Sequence, residues 1–147
     1  MKKTASVGAA LLLAAATTSG QLTASRGEIT VIMDDFRTDA GNARVALFDA
    51  KEGFPYETEK AREVEFVKIK NYGARAVFTD IPYGTYAVAV LHDENANGEM
   101  DLNFFRVPTE GYGVSNNVPS TLTRPAFDDA KFKLDEERLI IQIFIQY

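Results

Sequence analysis

Apolar and polar residues alternate along most of the chain from residue 28 onward, with the period of two that half-buried β-strands require. The alternation is clear in the stretches EITVIMDDF, NARVALFDA, ARAVFTD, DDAKFKLD and RLIIQIFIQY. The stretch GTYAVAVLHD is apolar on both faces, which is typical of a central strand covered on two sides. We therefore expect Tyr86, Val88 and Val90 to lie on one buried face, opposite Ile141 and Ile143 of the last strand.

Two other stretches modify this pattern. In EVEFVKIKN the apolar positions move from Val64 and Phe66 to Val67 and Ile69, and a slip of one residue predicts a β-bulge. The stretch YETEKARE predicts one or two helical turns. About seven short strands separated by turn residues predict an all-β protein, folded as a single β-sandwich.

The region from about residue 95 to 128 does not follow the strand pattern, because Gly, Pro, Asn and Thr are dense there. Loops of this length are uncommon in compact domains and are usually functional or disordered. This one contains four aromatic residues, namely Phe104, Phe105, Tyr112 and Phe127. That density of aromatic side chains predicts a loop packed onto the sandwich.

The N-terminal residues 1–20 have the layout of a secretory signal peptide. Lys2 and Lys3 precede the apolar run VGAALLLAAATTSG, which ends in small residues. Cleavage is expected after Ala16 or Gly20, which leaves residues 21–147 as the β-sandwich domain, exported to the periplasm or the medium. The alternative is an uncleaved membrane anchor, but the run is shorter than the ~18 apolar residues that a spanning helix needs.

Composition narrows the classes of function. A chain of 147 residues corresponds to one domain, and without cysteine it can form neither disulfides nor thiolate metal sites. Residues 1–20 hold two of the 16 basic residues and none of the 21 acidic ones, so the mature chain carries a charge of −7. Nucleic acid is a poor partner for such a domain, and no polybasic patch is present to hold anionic lipid. No membrane span is expected in the mature chain.

Short oxygen-bearing side chains are concentrated directly after the predicted central strand, in HDENANGEMD. In a calcium loop of EF-hand type, positions 1, 3 and 5 give side-chain oxygens, position 6 is Gly, position 7 gives a carbonyl, and position 9 acts directly or through water. These positions are matched, in order, by Asp93, Asn95, Asn97, Gly98, Glu99 and Asp101. Since Ca²⁺ prefers oxygen ligands, the spacing predicts a calcium site of modest affinity, roughly 0.1 to 1 mM.

The match to a calcium loop is incomplete at position 12. That position requires a bidentate Glu and is occupied by Phe104, and the flanks are a strand and a loop where an EF-hand has two helices. A remote carboxylate would have to complete the shell, with Glu110 as the preferred candidate and Glu94 as the alternative. The competing interpretation is a metal-free surface turn, because Asn, Asp and Gly are also the residues that tight turns use.

The chain offers few candidates for catalysis. His92 is the only histidine, and strand alternation aims its side chain away from that of Asp93. Ser115 lies in GVSNN, which lacks the second Gly of a nucleophile elbow. Neither these two residues nor any spacing of carboxylates specifies a reaction, so no catalytic residue is assigned.

The stretch EGYGVSNN allows two interpretations. In the first, Tyr112, Asn116 and Asn117 present a ring and two amides to a sugar or a peptide. In the second, Gly111 and Gly113 permit tight turns, Tyr112 packs inward, and the Asn side chains cap backbone groups near the calcium turn. Both interpretations predict an ordered loop.

Several motifs together resemble a known bacterial family of secreted proteins. They are GNARVALFDAKEGFP, YGTYAVAVLHDENANGEMDLNFF, VPTEGYGVSNN and PAFDDAKF, and they cover nearly all of the mature chain. The resemblance is to the family catalogued as domain of unknown function 2141. It implies an exported single domain with a transthyretin-like, or prealbumin-like, β-sandwich. It implies no reaction.

Two hypotheses of function follow from the sequence. The first is an exported non-catalytic module that binds calcium and either a surface glycan or a cell-surface protein. The second is a hydrolase that acts on an extracellular polymer. A deep pocket lined by converging carboxylates would favour the hydrolase, whereas the lack of a recognisable nucleophile–base pair favours the binding module.

Overall fold

A computed structural model describes residues 25–119 and 123–147. The predicted signal peptide lies outside the described residues. Within them the chain forms eight strands: β1 (Arg26–Asp34), β2 (Asn42–Phe48), β3 (Glu63–Val67), β4 (Ala74–Pro82), β5 (Gly84–Asp93), β6 (Tyr112–Val114), β7 (Phe132–Leu134) and β8 (Arg138–Phe144). Three short helical turns cover Thr58–Lys60, Ser115–Asn117 and Phe127–Ala130.

The strands form two sheets. One has the order β4-β1-β8, with β1 and β8 parallel and β1 and β4 antiparallel. The other has the order β3-β2-β5-β6, and β7 pairs with the first residues of β5. The prediction of an all-β protein is therefore confirmed, and the two sheets are consistent with a β-sandwich. The transthyretin-like subtype stays a prediction.

The main core lies between the two sheets. The inward-facing residues of β5, which are Tyr86, Val88 and Val90, are buried together with Ile143 of β8, and Ile141 packs against the same cluster. The central position of β5 explains why its sequence is apolar on both faces. Its other face, at Ala87 and Ala89, packs in a second apolar cluster outside the sheet.

Of two local predictions, one was wrong and one is confirmed. The apolar slip in EVEFVKIKN is not a bulge, because β3 ends at Val67 and the buried Ile69 reaches the core from the segment beyond the strand. The register shift of the structure lies instead between Gly27 and Ile29, where β1 pairs with β4. The one or two helical turns predicted for YETEKARE are present as a single 3₁₀ turn at Thr58–Lys60.

The predicted long loop is more ordered than its composition suggested. It contains β6 and the 3₁₀ turn at Ser115–Asn117, and the turn Phe127–Ala130 begins at its end. Phe127 packs, as predicted, against the second apolar cluster, which includes Phe48, Phe54 and Ala87 and which we call the outer cluster. The packing predicted for Phe104 and Phe105 is wrong, because their side chains are 94% and 80% exposed.

No helix among residues 25–119 and 123–147 combines the length and the apolar character that a membrane crossing demands.

Candidate functional site

The oxygen-rich loop begins where β5 ends, at the buried residues His92 and Asp93. The Asp93 carboxylate accepts hydrogen bonds from two backbone N–H groups, that of Asn97 at 3.0 Å and that of Gly98 at 2.7 Å. These bonds turn the chain back on itself directly after the strand. Gly98 has a φ of +80°, a conformation that favours glycine.

The side chains of Asn95, Asn97 and Asp101 meet in the same loop. The two Asn amides donate to the Asp101 carboxylate, with N–O distances of 2.5 Å from Asn95 and 2.9 Å from Asn97. The Oδ1 atoms of Asn95 and Asn97 accept from the backbone N–H groups of Asn97 and Glu99, at 3.1 and 2.9 Å. The predicted ligand side chains are thus brought together around one turn.

Glu110 holds both ends of this loop. Its carboxylate is buried, and its two oxygens accept from the backbone N–H groups of Glu94, at 2.9 Å, and Asp101, at 3.1 Å. The side chain of Glu94, the alternative candidate, is engaged elsewhere, because it forms an ion pair with Arg37 at 2.5 Å. Of the two carboxylates proposed to complete an ion's shell, Glu110 is the one that the fold places against the loop.

The loop can bind a cation only through a mixed set of oxygens. In the part of the chain that the structure describes, no three Asp, Glu or His side chains form a metal-ligating group. Ligands must therefore include amide and carbonyl oxygens. An oxygen that accepts one backbone N–H keeps a second lone pair, and the O and N positions of an Asn amide are assigned from its neighbours. The second lone pair of each Asn Oδ1 can therefore face an ion while the bonds from the N–H groups of Asn97 and Glu99 are kept.

Asn42 supplies a further candidate ligand oxygen, which the spacing of residues along the loop could not identify because Asn42 lies on β2. It lies on β2 directly opposite Asp93 of β5, and side chains at opposed positions share one face of the sheet about 5 Å apart. Its Oδ1 atom is buried and has no hydrogen-bond partner among the described residues. Buried polar atoms are rarely left unpaired, so this oxygen is a fitting donor to a bound ion. Only the cross-strand register reveals it.

A groove with a volume of about 620 Å³ adjoins the loop, on the outer face of the sheet formed by β2, β5 and β6. Its floor includes Arg44, Leu91 and Tyr112. One side is formed by Tyr56, Thr58 and Glu59, and the other by residues 98–100 with Leu102, Arg106 and Pro108. The second half of the oxygen-rich loop is therefore a wall of the groove.

Arg44 connects the two sides of the groove. Its guanidinium donates to the carbonyl of Gly98 on one side and to the hydroxyl of Thr58 on the other. Its Nε atom is buried and has no partner among the described residues. A single side chain therefore bonds both sides of the groove.

The three residues of EGYGVSNN that were predicted to bind a partner, Tyr112, Asn116 and Asn117, take different roles. Tyr112 lines the groove, and burial raises the pKa of its phenol. Asn116 donates to the carbonyls of Asp129 and Lys131, both at 3.0 Å. Asn117 binds the edge of β8 through the carbonyl of Gln142 and the N–H of Phe144. In the structure both amides therefore contact backbone groups away from the groove.

The glycines beside Tyr112 serve close packing, and the tight turns expected of them are absent. A Cβ atom on Gly113 would lie 2.7 Å from the side chain of Ile143. A Cβ atom on Gly111 would lie 2.4 Å from the ring of Tyr147. Both distances are too short for real contacts, so glycine lets this segment approach β8 and the C-terminal residues.

His92 and Ser115 belong to separate structural networks. His92 Nε2 donates to the carbonyl of Ala40 at 2.9 Å, so in the neutral ring Nδ1 accepts from the Tyr147 hydroxyl at 2.6 Å. Burial raises the pKa of Tyr147, although the N–H of Arg37 bonded to its oxygen opposes that shift. The Ser115 hydroxyl donates to the carbonyl of Ala130 at 2.6 Å and accepts from the N–H of Val88 at 2.9 Å.

The comparisons with known proteins identify a family and no activity. A family model described as "uncharacterized protein conserved in bacteria (DUF2141)" matches residues 31–142. That range includes every residue of the loop and the groove named above. No curated protein and no solved structure matches the chain.

Proposed function

The chain belongs to the bacterial family of domain of unknown function 2141, and from its geometry we propose that it is an exported, non-catalytic binding module. In this proposal Ca²⁺ binds in the loop from Asp93 to Asp101 and fixes one wall of the adjoining groove. The observation that carries the proposal is that one short loop supplies both the cluster of oxygens and the wall of the groove.

The calcium part of the proposal rests on the donors that the loop collects. Asp93, Asn95, Asn97 and Asp101 contribute side-chain oxygens, and Glu110 borders the loop from behind. The unpartnered Oδ1 of Asn42 adds a buried oxygen on the same sheet face as Asp93. This set is suited to Ca²⁺, which accepts six to eight oxygens in flexible geometry, more than to Mg²⁺, which demands near-octahedral order.

The binding part of the proposal rests on the lining of the groove. Two tyrosines, Tyr56 and Tyr112, face it from different segments, and Leu91, Met100 and Leu102 add apolar surface. Pockets of this size with mostly apolar walls and a few polar groups are the usual form of ligand sites. A glycan stacked on the tyrosine rings, or a peptide segment of a cell-surface protein, suits this chemistry.

The hydrolase hypothesis receives less support. The carboxylates that line the groove are those of Glu59 and Glu99, and both residues are exposed to solvent. The hydroxyl of Ser115 and the ring of His92 are occupied by separate structural hydrogen bonds. The groove therefore favours binding as its primary role.

The calcium hypothesis is tested by thermal unfolding of protein first treated with a chelator. Calcium at 100 times its dissociation constant should stabilise the fold by roughly 2.7 kcal/mol, because the ion binds the folded state alone. For a domain of this size the melting temperature should then rise by about 5–10 °C. Magnesium should produce a much smaller rise.

Asp93→Ala should abolish the calcium-dependent rise, since Asp93 and Asp101 are the two carboxylates among the proposed side-chain ligands of the loop. Asp135→Ala is the matched control, because it removes an exposed carboxylate paired with Lys133, outside the loop, and should leave the rise unchanged. A melting curve that is indifferent to millimolar calcium in the unmodified protein would leave the metal-free turn as the correct interpretation.

Export is proposed from the N-terminal pattern of Lys2, Lys3 and the apolar run that follows. The exported protein should begin at Thr17 or Gln21, as measured by mass spectrometry of the periplasmic and culture fractions. Recovery of the chain with Met1 intact, in the membrane fraction, would identify the segment as an anchor instead.

A further inference from the structure

The most exposed aromatic side chains of the described residues lie together at the end of a small hairpin. Leu102 and Pro108 form a bridge, the N–H of Asn103 donates to the carbonyl of Val107 at 2.9 Å, and the chain between them projects Phe104 and Phe105. The two rings touch edge to face with centroids 5.4 Å apart, and they are 94% and 80% exposed. We call residues 102–108 the Phe tip.

Four backbone N–H groups of the Phe tip, those of Asn103, Phe105, Arg106 and Val107, donate within the tip itself. The Oδ1 of Asn103 accepts from the N–H groups of Phe105, at 2.9 Å, and Val107, at 3.0 Å. The carbonyl of Asn103 accepts from the N–H of Arg106 at 2.9 Å. Unpaired backbone groups are costly in an apolar medium, so these internal bonds reduce the desolvation cost of bringing the tip into the interfacial region of a bilayer.

The charge of the Phe tip differs from that of the whole domain. Residues 102–108 contain no Asp or Glu, and Arg106 is their only charged residue. The carboxylates that flank the tip in the sequence are bonded within the oxygen-rich loop: Asp101 accepts from the Asn95 and Asn97 amides, and the buried Glu110 accepts from the N–H groups of Glu94 and Asp101. Leu102 and Val107, each about half exposed, extend the apolar surface behind the rings.

We propose that the Phe tip inserts into the interfacial region of a phospholipid bilayer, with Phe104 and Phe105 among the upper acyl chains and Arg106 at the lipid phosphates. Aromatic and apolar side chains on a protruding element, next to a basic residue, are the features that hold peripheral proteins in that region. The positive charge of Arg106 complements the phosphate group that every phospholipid carries. This inference goes beyond the proposed function. Leu102, Arg106 and Pro108 of the tip also line the groove, but the inference rests on the exposed rings of Phe104 and Phe105 and requires no bound calcium.

The shape of the Phe tip favours a bilayer over a protein partner. Protein interfaces bury their aromatic anchors at the centre of a packed patch surrounded by contacts that exclude water. The Phe tip is a projection of seven residues, and its two rings are almost free of neighbours within the domain. A fluid bilayer covers such a projection without a complementary pocket.

The test is cosedimentation of the purified protein with vesicles of phosphatidylcholine, alone and mixed with phosphatidylglycerol. The unmodified protein should bind both, and binding should persist at high salt, because apolar insertion is not screened. The double variant Phe104→Ser, Phe105→Ser should bind at least about tenfold more weakly, since two large apolar side chains no longer enter the bilayer. Its melting temperature should not fall, because both rings are exposed.

Ile140→Ser is the matched control. It removes a side chain that is 67% exposed on β8, which belongs to the other sheet, and should leave vesicle binding unchanged. Phe104→Trp adds a direct probe, since the chain contains no tryptophan. Its emission should shift to the blue with vesicles and be quenched by lipids brominated in the acyl chain.

Equal binding by the double serine variant and the unmodified protein would overturn the proposal. Vesicles that leave the tryptophan emission of the Phe104→Trp variant unchanged would overturn it too. Phe-dependent self-association in sedimentation velocity, without vesicle binding, would also overturn it and would assign the Phe tip to contacts between copies of the chain.

Discussion

Glu110→Ala should lower the free energy of unfolding by about 3 kcal/mol, even without calcium, because hydrogen bonds to a charged group contribute about 1.5–3 kcal/mol each. The buried carboxylate binds the N–H groups of Glu94 and Asp101, which are the two ends of the oxygen-rich loop. Urea unfolding monitored by circular dichroism measures the loss as a lower midpoint with an unchanged slope.

Glu110→Gln is the control for the charge of this residue. It keeps one acceptor oxygen and replaces the other with an NH₂ group, which cannot accept from a backbone N–H, so an intermediate loss of about 1–2 kcal/mol is expected. A loss below about 0.5 kcal/mol for Glu110→Ala would mean that the loop does not depend on this carboxylate.

Phe48→Ala should cost about 4 kcal/mol of stability, since truncation of a fully buried Phe removes its burial and leaves a cavity. Phe48 lies on the outer face of its sheet and packs edge to face on Phe54, with ring centroids 5.3 Å apart. Phe54 in turn packs on Phe127 at 5.8 Å. The cluster anchors the segment that carries Tyr56 and Thr58, so the variant should also loosen one side of the groove.

The matched control for Phe48→Ala is Phe66→Ala on the neighbouring strand β3, where the ring is more than half exposed. Its cost should stay within about 0.5 kcal/mol, as is usual for surface positions. Equal costs at the two positions, measured by the same urea unfolding, would contradict the outer cluster as an anchor.

Alternation of apolar and polar residues predicted the long strands, in which one face is buried along several residues. It did not predict short strands that are defined only by their hydrogen bonding to a neighbouring strand. The strand β5 was evident because both of its faces are covered. The strand β6 has only three residues. It is held in place by its antiparallel pairing with β5 and by the close approach of Gly113 to Ile143. Ile69 is buried beyond the end of β3, so its apolar character suggested a strand that continues.

The same distinction holds for the candidate site. Spacing along the loop identified Asp93, Asn95, Asn97 and Asp101, because a turn brings near neighbours together. Asn42 and Arg44 reach the site from β2, and only the pairing of β2 with β5 places them there. The side-chain amide of Asn117 hydrogen-bonds the backbone of β8 at Gln142 and Phe144. This contact joins segments that are distant in the sequence, so local patterns could not predict it.

We propose that one calcium ion binds the loop and thereby fixes a wall of the groove. The most direct measurement is a calcium titration of ¹⁵N-labelled, chelator-treated protein followed by amide NMR spectra. We expect saturable changes confined to residues 93–110 and to Asn42 and Arg44 of β2, with little response to magnesium. Amide signals that do not change with calcium, or changes that do not saturate and are spread over the acidic surface, would contradict the proposal.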